Sequence, residues 1–390
     1  MTASRHSSPP RPAAARPARH FHRLAWLAVA LALGVIVFGA FVRLSDAGLS
    51  CPDWPTCYGR AAWPTEVAHG ADHAATAIRP VEVHKAWREQ FHRMIAGALG
   101  VLTLALALLA ARRRRYGMAQ VVAAATLVAI AIPLYMRGEH VAASVLAIAG
   151  EAILLVAALR WSNLDLARVA AVTLAVIIFQ ALLGMWTVTW LLKPIVVMGH
   201  LLGGLLTFSL LLWMAWRATN VPIRLAEATR VRQLVILGLA LLGIQIALGG
   251  WTSANYAALA CATDFPKCVG QWWPPTDFSE GFVLWHGIGA DYEGGRLGGA
   301  ARIAIQMTHR IMALVVFVYL LWLAVKLLRT PGMRGWASLL GLLTLGQVGL
   351  GIANVKLALP LWTAVSHNAG ATLLLFVLVS LLARLRSPEA

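Results

Sequence analysis

The sequence predicts an all-helical membrane protein in which eight core helices form two parallel four-helix-bundle repeats. An inserted helical hairpin brings the expected total to ten membrane-spanning segments. Three observations predict this fold class. Hydrophobic residues make up 59% of the 390 residues and charged residues only 13%, whereas a soluble domain carries about 25% charged residues. Apolar runs of about 20 residues, long enough to cross a bilayer, recur along the chain. The two halves of the chain also resemble each other.

The ten expected spans follow from these apolar runs. Each run is bounded by charged residues or by a loop rich in polar residues, Gly or Pro, which is where a membrane helix ends. The spans are expected near residues 25–43, 90–111, 119–135, 141–160, 169–190, 196–217, 231–252, 302–328, 335–356 and 362–383.

Basic residues are unevenly distributed between the two sides that these spans define. One side, with the basic tail 1–24 and residues 112–115, collects twenty basic and three acidic residues of a chain whose net charge is +17. The two long loops of the other side, 44–89 and 253–301, carry six basic and eleven acidic residues. The positive-inside rule therefore predicts that both termini are cytoplasmic and that the long loops lie outside. Because topology accounts for the charge, we do not expect nucleic-acid binding.

The first 23 residues are rich in Arg, Ala and Pro and contain no acidic residue. This composition is typical of a mitochondrial transit segment and also of the cytoplasmic tail of a bacterial inner-membrane protein. No small-residue cleavage site follows the apolar run at 25–42, so we expect this run to be a retained helix. The pattern favours a multi-pass protein of the bacterial inner membrane.

All four cysteines fall in the two outside loops, as one pair in each loop: Cys51 with Cys57, and Cys261 with Cys268. Outside the cytoplasm disulfides form and persist. Zinc ligand pairs usually have shorter spacings than these. A structural or redox disulfide in each loop is therefore favoured over a metal site.

The internal repeat is visible in short matching segments. Residues 89–93 (EQFHR) match 306–310 (QMTHR), and residues 180–184 (QALLG) match 347–351 (QVGLG). Each half consists of a helix, a long loop with a cysteine pair and three further helices. An even number of helices preserves orientation, so the repeats, 25–217 and 231–384, are expected to be parallel about the membrane normal.

The first half contains an insertion. His92 and His200 are 108 positions apart, whereas His309 and His367 are 58 apart. Two apolar runs fill the difference, so we expect an accessory hairpin at about 118–165. A re-entrant hairpin is the alternative, because the first run is short and ends near Pro133. Glu151 lies in the second run; its place in an insertion favours a packing or lipid-edge role over the functional role usual for a buried Glu.

Four of the twelve histidines lie near the outer ends of predicted spans, at equivalent places in the two halves: His92, His200, His309 and His367. A lone histidine in a membrane helix is more often a hydrogen-bonded core residue. Here the second and fourth helices of each repeat supply one histidine each, which predicts two bis-histidine haem sites. Copper or zinc is disfavoured, because those metals need three or four clustered ligands and only Glu89 lies one turn from a histidine.

Three residues beside the histidines suggest further roles. Arg93 and Arg310 either pair with haem propionates or extend to the outer membrane interface. Glu89 in the first half corresponds to Gln306 in the second. A desolvated Glu can donate or accept a proton, and a Gln cannot. We therefore expect the first site to perform chemistry and the second to carry electrons.

Several of these segments together resemble bacterial haem A synthases. They are residues 43–59 (RLSDAGLSCPDWPTCYG), Glu89-x-x-His92-Arg93, 183–188 (LGMWTV), 200–204 (HLLGG), 308–310 (THR) and the helix that starts near His367. The resemblance covers nearly the whole chain except the insertion at about 118–165. It implies an oxidoreductase that oxidises the C8 methyl group of haem O to a formyl group, through methyl hydroxylation, to give haem A for cytochrome c oxidase.

The resemblance also implies roles for individual residues. His92 and His200 would flank the substrate haem O, with Glu89 acting beside it, and His309 and His367 would ligate haem b. Cys51 and Cys57 would form a redox-active pair. Haem O synthase, cytochrome c oxidase assembly and a second copy of the chain are the implied partners. The tryptophans of the long second loop, Trp272, Trp273 and Trp285, are expected to mark the membrane interface rather than to form a lid over a haem.

Two other functions are compatible with parts of the pattern. A quinol-linked dihaem b cytochrome that only transfers electrons would use the same four histidines. A transporter built from repeats would need discontinuous helices and polar residues at the membrane midplane, and neither is evident in the sequence.

Overall fold

The computed structural model describes residues 20–69, 74–162 and 166–388. Most of the predicted basic tail, residues 1–19, lies outside this part of the chain. The described residues form ten long helices, each long and apolar enough to cross a membrane, and one short helix. In chain order the helices are α1 (Phe21–Leu44), α2 (Val83–Ala111), α3 (Gly117–Met136), α4 (His140–Arg160), α5 (Ala167–Thr189), α6 (Pro194–Thr219), α7 (Ala228–Ala254), the short α8 (Phe278–Gly281), α9 (Gly299–Leu328), α10 (Arg334–Lys356) and α11 (Leu361–Arg384).

The ten expected spans are confirmed, and nine of them begin and end within four residues of the predicted bounds. The exception is α2, which begins at Val83, seven residues before the predicted start. Its first two turns are rich in charged and polar residues and project beyond the apolar run. Hydropathy marks the apolar core of a helix, not its polar extension, so the prediction missed these turns and left Glu89 outside the helix.

The helices of each half contact one another in a ring. In the first half α1 contacts α2 and α6, and α5 contacts the same two helices. In the second half α7 contacts α9 and α11, and α10 contacts the same two helices. The helices that carry the histidines, α2 with α6 and α9 with α11, therefore lie diagonally across each ring.

The two rings meet along α1, α6, α7 and α11. The Trp216 indole donates a hydrogen bond to the Ser380 hydroxyl at 2.8 Å across this interface. At the opposite end, Arg43 of α1 donates to the Tyr256 hydroxyl at 3.1 Å and to the Ser253 carbonyl at 2.9 Å. Two short parallel strands, β1 (Ile223–Arg224) and β2 (Leu385–Arg386), join the segment after α6 to the segment after α11.

The inserted helices α3 and α4 form a hairpin on the outside of the first ring. They pack on each other, while α3 contacts α2 and α4 contacts α5. Helix α3 is 20 residues long and includes Pro133, and its length of about 30 Å is enough to span a bilayer. Glu151 of α4 is partly buried, and its Oε1 has no hydrogen-bond partner among the described residues.

The long loops 45–82 and 255–298 emerge at the same end of the molecule, together with the α5–α6 and α10–α11 turns. We call this end the loop side. All four predicted ligand histidines lie toward it.

Candidate functional site

Each predicted ligand histidine lies within about three turns of the loop-side end of its helix. His92 is in α2, His200 in α6, His309 in α9 and His367 in α11. All four side chains are partly exposed. The histidines therefore occupy one level of the molecule, two in each ring.

A glycine on the neighbouring helix makes room for each imidazole. A Cβ atom placed on Gly39 of α1 would lie only 2.7 Å from Cε1 of His92, closer than packed carbon atoms approach. The same relation holds for Gly184 with His200 at 3.3 Å, Gly249 with His309 at 3.1 Å and Gly351 with His367 at 3.1 Å. Each imidazole therefore packs directly against the backbone of the neighbouring helix, at a glycine that has no side chain.

Sequence analysis missed the role of these glycines, although a signal was present. Gly184 and His200 are separated by fifteen residues, and so are Gly351 and His367. Other glycines near the histidines behave differently. A Cβ on Gly203 or Gly370 would overlap a glutamine side chain, and Gly97 has open space beside it.

Glutamines restrain two of the imidazoles. Nε2 of Gln245 lies 3.1 Å from Nδ1 of His309 and donates to the His309 carbonyl at 3.3 Å. Nε2 of Gln347 lies 3.5 Å from Nε2 of His367 and donates to its carbonyl at 3.0 Å. Each glutamine stands four residues before the glycine of its helix. At the corresponding place before Gly39 the chain has Val35, so His92 has no such partner from α1.

The two histidines of each ring lie near one another, on helices that are diagonal across the ring. His92 and His200 are close enough to interact electrostatically, and so are His309 and His367. Within the described part of the chain, no group of three or more His, Cys, Asp or Glu residues is arranged to hold a metal ion. The donor sets are therefore pairs of imidazoles.

These pairs fit a haem iron. Nδ1 of His92, His200 and His367 is buried without a hydrogen-bond partner in the described residues. A buried polar atom without a hydrogen-bond partner costs about 1–3 kcal/mol. These imidazoles therefore have nitrogen atoms whose bonding capacity the surrounding protein does not use. A bis-histidine haem takes one imidazole on each side of its iron. Two imidazoles on diagonal helices, in an apolar bundle, meet that requirement.

Glu89 joins the first cysteine loop to the helix that carries His92. The side chain is only 4% exposed. Its Oε2 accepts hydrogen bonds from the Cys51 amide at 2.8 Å and the Ser50 hydroxyl at 3.1 Å, and its Oε1 pairs with Arg93 at 2.6 Å. Both oxygens are therefore occupied, one turn of helix before His92. Gln306, at the corresponding place in α9, is equally buried, with Oε1 unpartnered among the described residues.

Arg93 and Arg310 hold the cysteine loops. Arg93 donates to the carbonyls of Cys51, Asp53 and Thr56, each at 2.7 Å. Arg310 donates to the carbonyls of Asp264 and Lys267, at 2.9 and 3.0 Å. The sequence suggested haem propionates or the membrane interface as the surroundings of these guanidinium groups. In the structure their terminal nitrogens bind loop carbonyls, directly beside the histidines.

Both cysteine pairs form disulfides, Cys51–Cys57 and Cys261–Cys268, which confirms the disulfide prediction over a metal site. All four cysteines are fully buried. Each loop closes with the same short bridge after its second cysteine, between Cys57 and Arg60 and between Cys268 and Gln271.

Asp53 organises the first loop. Its carboxylate accepts hydrogen bonds from the Thr56 hydroxyl at 2.6 Å and the amides of Tyr58 and Gly59 at 2.6 and 2.9 Å. Burial raises the pKa of the Asp53 carboxyl, but these hydrogen bonds outweigh it and hold the pKa below its usual value. Burial also raises the pKa of Tyr58 to about 12, so this hydroxyl stays protonated and donates to the Arg79 carbonyl at 3.1 Å.

The turn before α6 buries a lysine. Lys193 is 1% exposed, and its Nζ has no hydrogen-bond partner among the described residues. Nζ lies 3.2 Å from the ring centroid of Trp285 and 5.4 Å from that of Trp190. A desolvated cation–π contact contributes about 2 kcal/mol, while burying an ammonium group costs several kcal/mol. The aromatic rings alone therefore do not offset the burial of this charge.

The second long loop lies over the first ring. The Tyr292 amide donates to the Leu191 carbonyl at 3.1 Å, and Tyr292 packs with Leu49 and Leu192 in one buried cluster. An ion pair between Arg79 and Glu293 joins the two long loops. Trp272, Trp273 and Trp285 are exposed, 67%, 56% and 58%, and Trp285 also lies against Lys193.

Comparison with known proteins identifies a family. The model of the COX15-CtaA family, described as cytochrome oxidase assembly protein, matches residues 22–134 and 139–379. The match includes most of α3 and all of α4, so our expectation that the insertion lies outside the resemblance was wrong. The hairpin is part of the segment that the family model describes.

Curated relatives carry a consistent name. The heme A synthase of Shewanella oneidensis is 39% identical over 367 residues, covering 92% of this chain and 96% of that protein. The heme A synthase of Methylobacterium radiotolerans is 32% identical over 178 residues, 43% of this chain and 44% of that protein. That of Caulobacter sp. (strain K31) is 29% identical over 221 residues, 54% of this chain and 60% of that protein.

Proposed function

The chain belongs to the COX15-CtaA family of cytochrome oxidase assembly proteins, and on this premise we propose that it is a haem A synthase. It acts as an oxidoreductase that converts the C8 methyl of haem O into the formyl group of haem A. The observation that carries this proposal is the set of four histidines, each backed by a glycine and arranged as two close pairs.

The first ring is the substrate site in this proposal. His92 and His200 hold the iron of haem O, and the apolar helices around them exclude water. Three asymmetries support this assignment, because at each the first half differs from the second: Glu89 against Gln306, Val35 against Gln245 and Lys193 against Pro360. A site that takes up and releases a substrate needs residues that a permanent cofactor site does not.

The second ring holds the resident cofactor, haem b, between His309 and His367. When bound, this haem supplies one-electron transfer. Gln245 and Gln347 restrain its two imidazoles from the neighbouring helices. Restrained ligands keep the geometry of the iron site the same in both oxidation states, as electron transfer requires.

Glu89 is the proton-handling group of the first site. It is a buried acidic residue one turn from His92. Because Glu89 also accepts from the Cys51 amide, a redox change at Cys51–Cys57 would reach it directly. Arg93 and Arg310 are positioning residues that fix the loops, rather than partners of propionates.

The two rings are related as parallel repeats about an axis along the membrane normal. Support comes from paired backbone features: left-handed residues occur at Asp46 and Tyr256, and again at Tyr58 and Val269. The loop-side end faces outward and both termini face the cytoplasm of a bacterial inner membrane, as the distribution of basic residues predicts. Haem O synthase and the cytochrome oxidase assembly machinery are the expected partners.

Pigment analysis tests the proposal against its main competitor, a dihaem b electron carrier. The full-length protein, purified in detergent after co-expression with haem O synthase, should yield haem b together with haem A or haem O. His92→Ala should remove the second pigment and keep haem b, while His309→Ala should remove haem b. Haem b alone at two per chain would instead support the carrier.

A further inference from the structure

The turns that lead into α6 and α11 have the same backbone but different chemistry. Each contains two successive left-handed residues, Leu191 and Leu192 in the first and Ala358 and Leu359 in the second. The amide of the second left-handed residue closes each turn, from Leu192 to the Thr187 carbonyl at 2.8 Å and from Leu359 to the Asn354 carbonyl at 2.7 Å. The next residue is Lys193 in the first turn and Pro360 in the second.

This lysine is therefore not required by the turn, since a proline serves the same backbone. Its ammonium group is nevertheless buried, and within the described residues it has aromatic neighbours but no hydrogen-bond acceptor. The start of α6, which is positive because its amide dipoles point that way, has no side-chain cap in the described structure. Two positive features thus meet at one place, and the described residues give them no negative partner.

The location of Lys193 connects this place to the first histidine pair. Lys193 precedes His200 by seven residues, two turns of helix on the same face and about 10 Å along the axis. Its neighbour Trp190 stacks on Trp186 at 5.2 Å, and Trp186 is two residues from Gly184, which backs His200. A ligand held at His200 therefore has this cation near its loop-side edge.

We infer that Lys193 binds a propionate carboxylate of the haem substrate held between His92 and His200. The inference rests on the proposed function of the first ring and names the charge that orients the substrate there. A carboxylate supplies the acceptor that Nζ lacks and neutralises the start of α6. The second ring, which keeps its haem, has Pro360 at this position and no equivalent cation. Trp285, from the second long loop, covers the ion pair.

The test compares two haem probes that differ in the charge of their propionates, each with proteins that differ in the charge at position 193. The probes are haem b and its dimethyl ester, which differ only in whether the propionates are charged. Each is titrated into the detergent-purified, full-length protein that retains its second-ring haem, and binding is followed by absorbance. His200→Ala identifies the part of the signal that belongs to the first ring.

We expect the wild-type protein to bind the diacid about ten-fold more tightly than the ester, as for one charge-assisted hydrogen bond. Lys193→Met should reduce that ratio to near one, and Lys193→Arg should largely restore it. Lys356→Met, which removes an exposed lysine from the loop-side end of α10, should leave the ratio unchanged.

The outcomes separate this inference from the proposed function. If His200→Ala abolishes first-ring binding but Lys193→Met keeps the full preference for the diacid, the inference is overturned and the haem site stands. A Lys193→Met protein that is only less heat-stable, with an unchanged ratio, would likewise show that the lysine serves packing alone. If His200→Ala changes nothing, the proposed function and this inference fail together.

Discussion

The Glu89 carboxylate accepts a hydrogen bond from the backbone amide of Cys51 at 2.8 Å. This contact joins the disulfide of the first long loop to the helical turn that precedes His92. Arg93, on the other side of His92 in the sequence, holds the Cys51 carbonyl at 2.7 Å. The loop, the carboxylate and the histidine therefore form one connected unit, which leads to the first prediction.

Replacing Glu89 with Gln should abolish haem A formation and leave haem b in the second ring. An amide supplies an NH₂ group where the carboxylate now accepts from Arg93 or from the Cys51 amide, so one hydrogen bond is lost and the proton-handling group is removed. The lost bond should also lower the free energy of unfolding by about 1–3 kcal/mol. Pigment extraction and thermal unfolding measure the two effects. Gln306→Glu is the matched change in the second ring, and adding it to the Glu89→Gln protein should not restore haem A formation. Haem A production by Glu89→Gln alone would refute the role of Glu89.

Replacing Gly39 with Ala should displace His92 and weaken haem binding in the first ring. The added methyl group would stand 2.7 Å from Cε1 of the imidazole, and such overpacking typically costs about 1–3 kcal/mol. Gly34, on the same helix, has nothing within 4 Å of its Cβ position, so Gly34→Ala is the control and should bind normally. The pigment content of the two purified variants decides the matter. Equal loss in both would mean that α1 tolerates no alanine, not that Gly39 serves His92.

The corresponding change in the second ring is Gly351→Ala. Its methyl group would lie 3.1 Å from Cε1 of His367, whereas Gly349 has open space at its Cβ position. We expect Gly351→Ala to lose or shift haem b, visible as a changed absorbance band, and Gly349→Ala to keep it. Normal haem b spectra in Gly351→Ala would show that the His367 imidazole can move aside without an energetic cost.

The first disulfide loop should remain folded to lower pH than an ordinary carboxylate would allow. The pKa of Asp53 is lower in the folded loop than in an unfolded chain, where it is about 3.9. Its stabilising effect is therefore complete above about pH 4 and is lost as the pH falls through the folded value. Asp53→Asn should reduce the melting temperature at pH 7, and the difference from the wild type should shrink below pH 4. A difference independent of pH would contradict this.

The membrane helices were predictable because a bilayer imposes a length and a composition on each span. The first two turns of α2 were not, since they are polar and hold their place through contacts with the first loop, such as that of Glu89. The four histidines were found from their repeated positions. The glycines that back them were missed, because the side chain that a glycine contacts on another helix depends on tertiary packing. Likewise, the loop carbonyls that Arg93 and Arg310 bind cannot be recognised from the residues flanking those arginines.

The bond between the Tyr292 amide and the Leu191 carbonyl makes the first histidine pair depend on the second half of the chain. A polypeptide that stopped after α6 would contain His92 and His200 and every helix around them. It would lack the loop segment that packs on Leu49 and Leu192, and the Trp285 side chain that covers Lys193. Water would therefore enter the site from the loop side. Such a half-length molecule would need another polypeptide to supply residues equivalent to Trp285 and Tyr292, because a second copy of itself would lack them too.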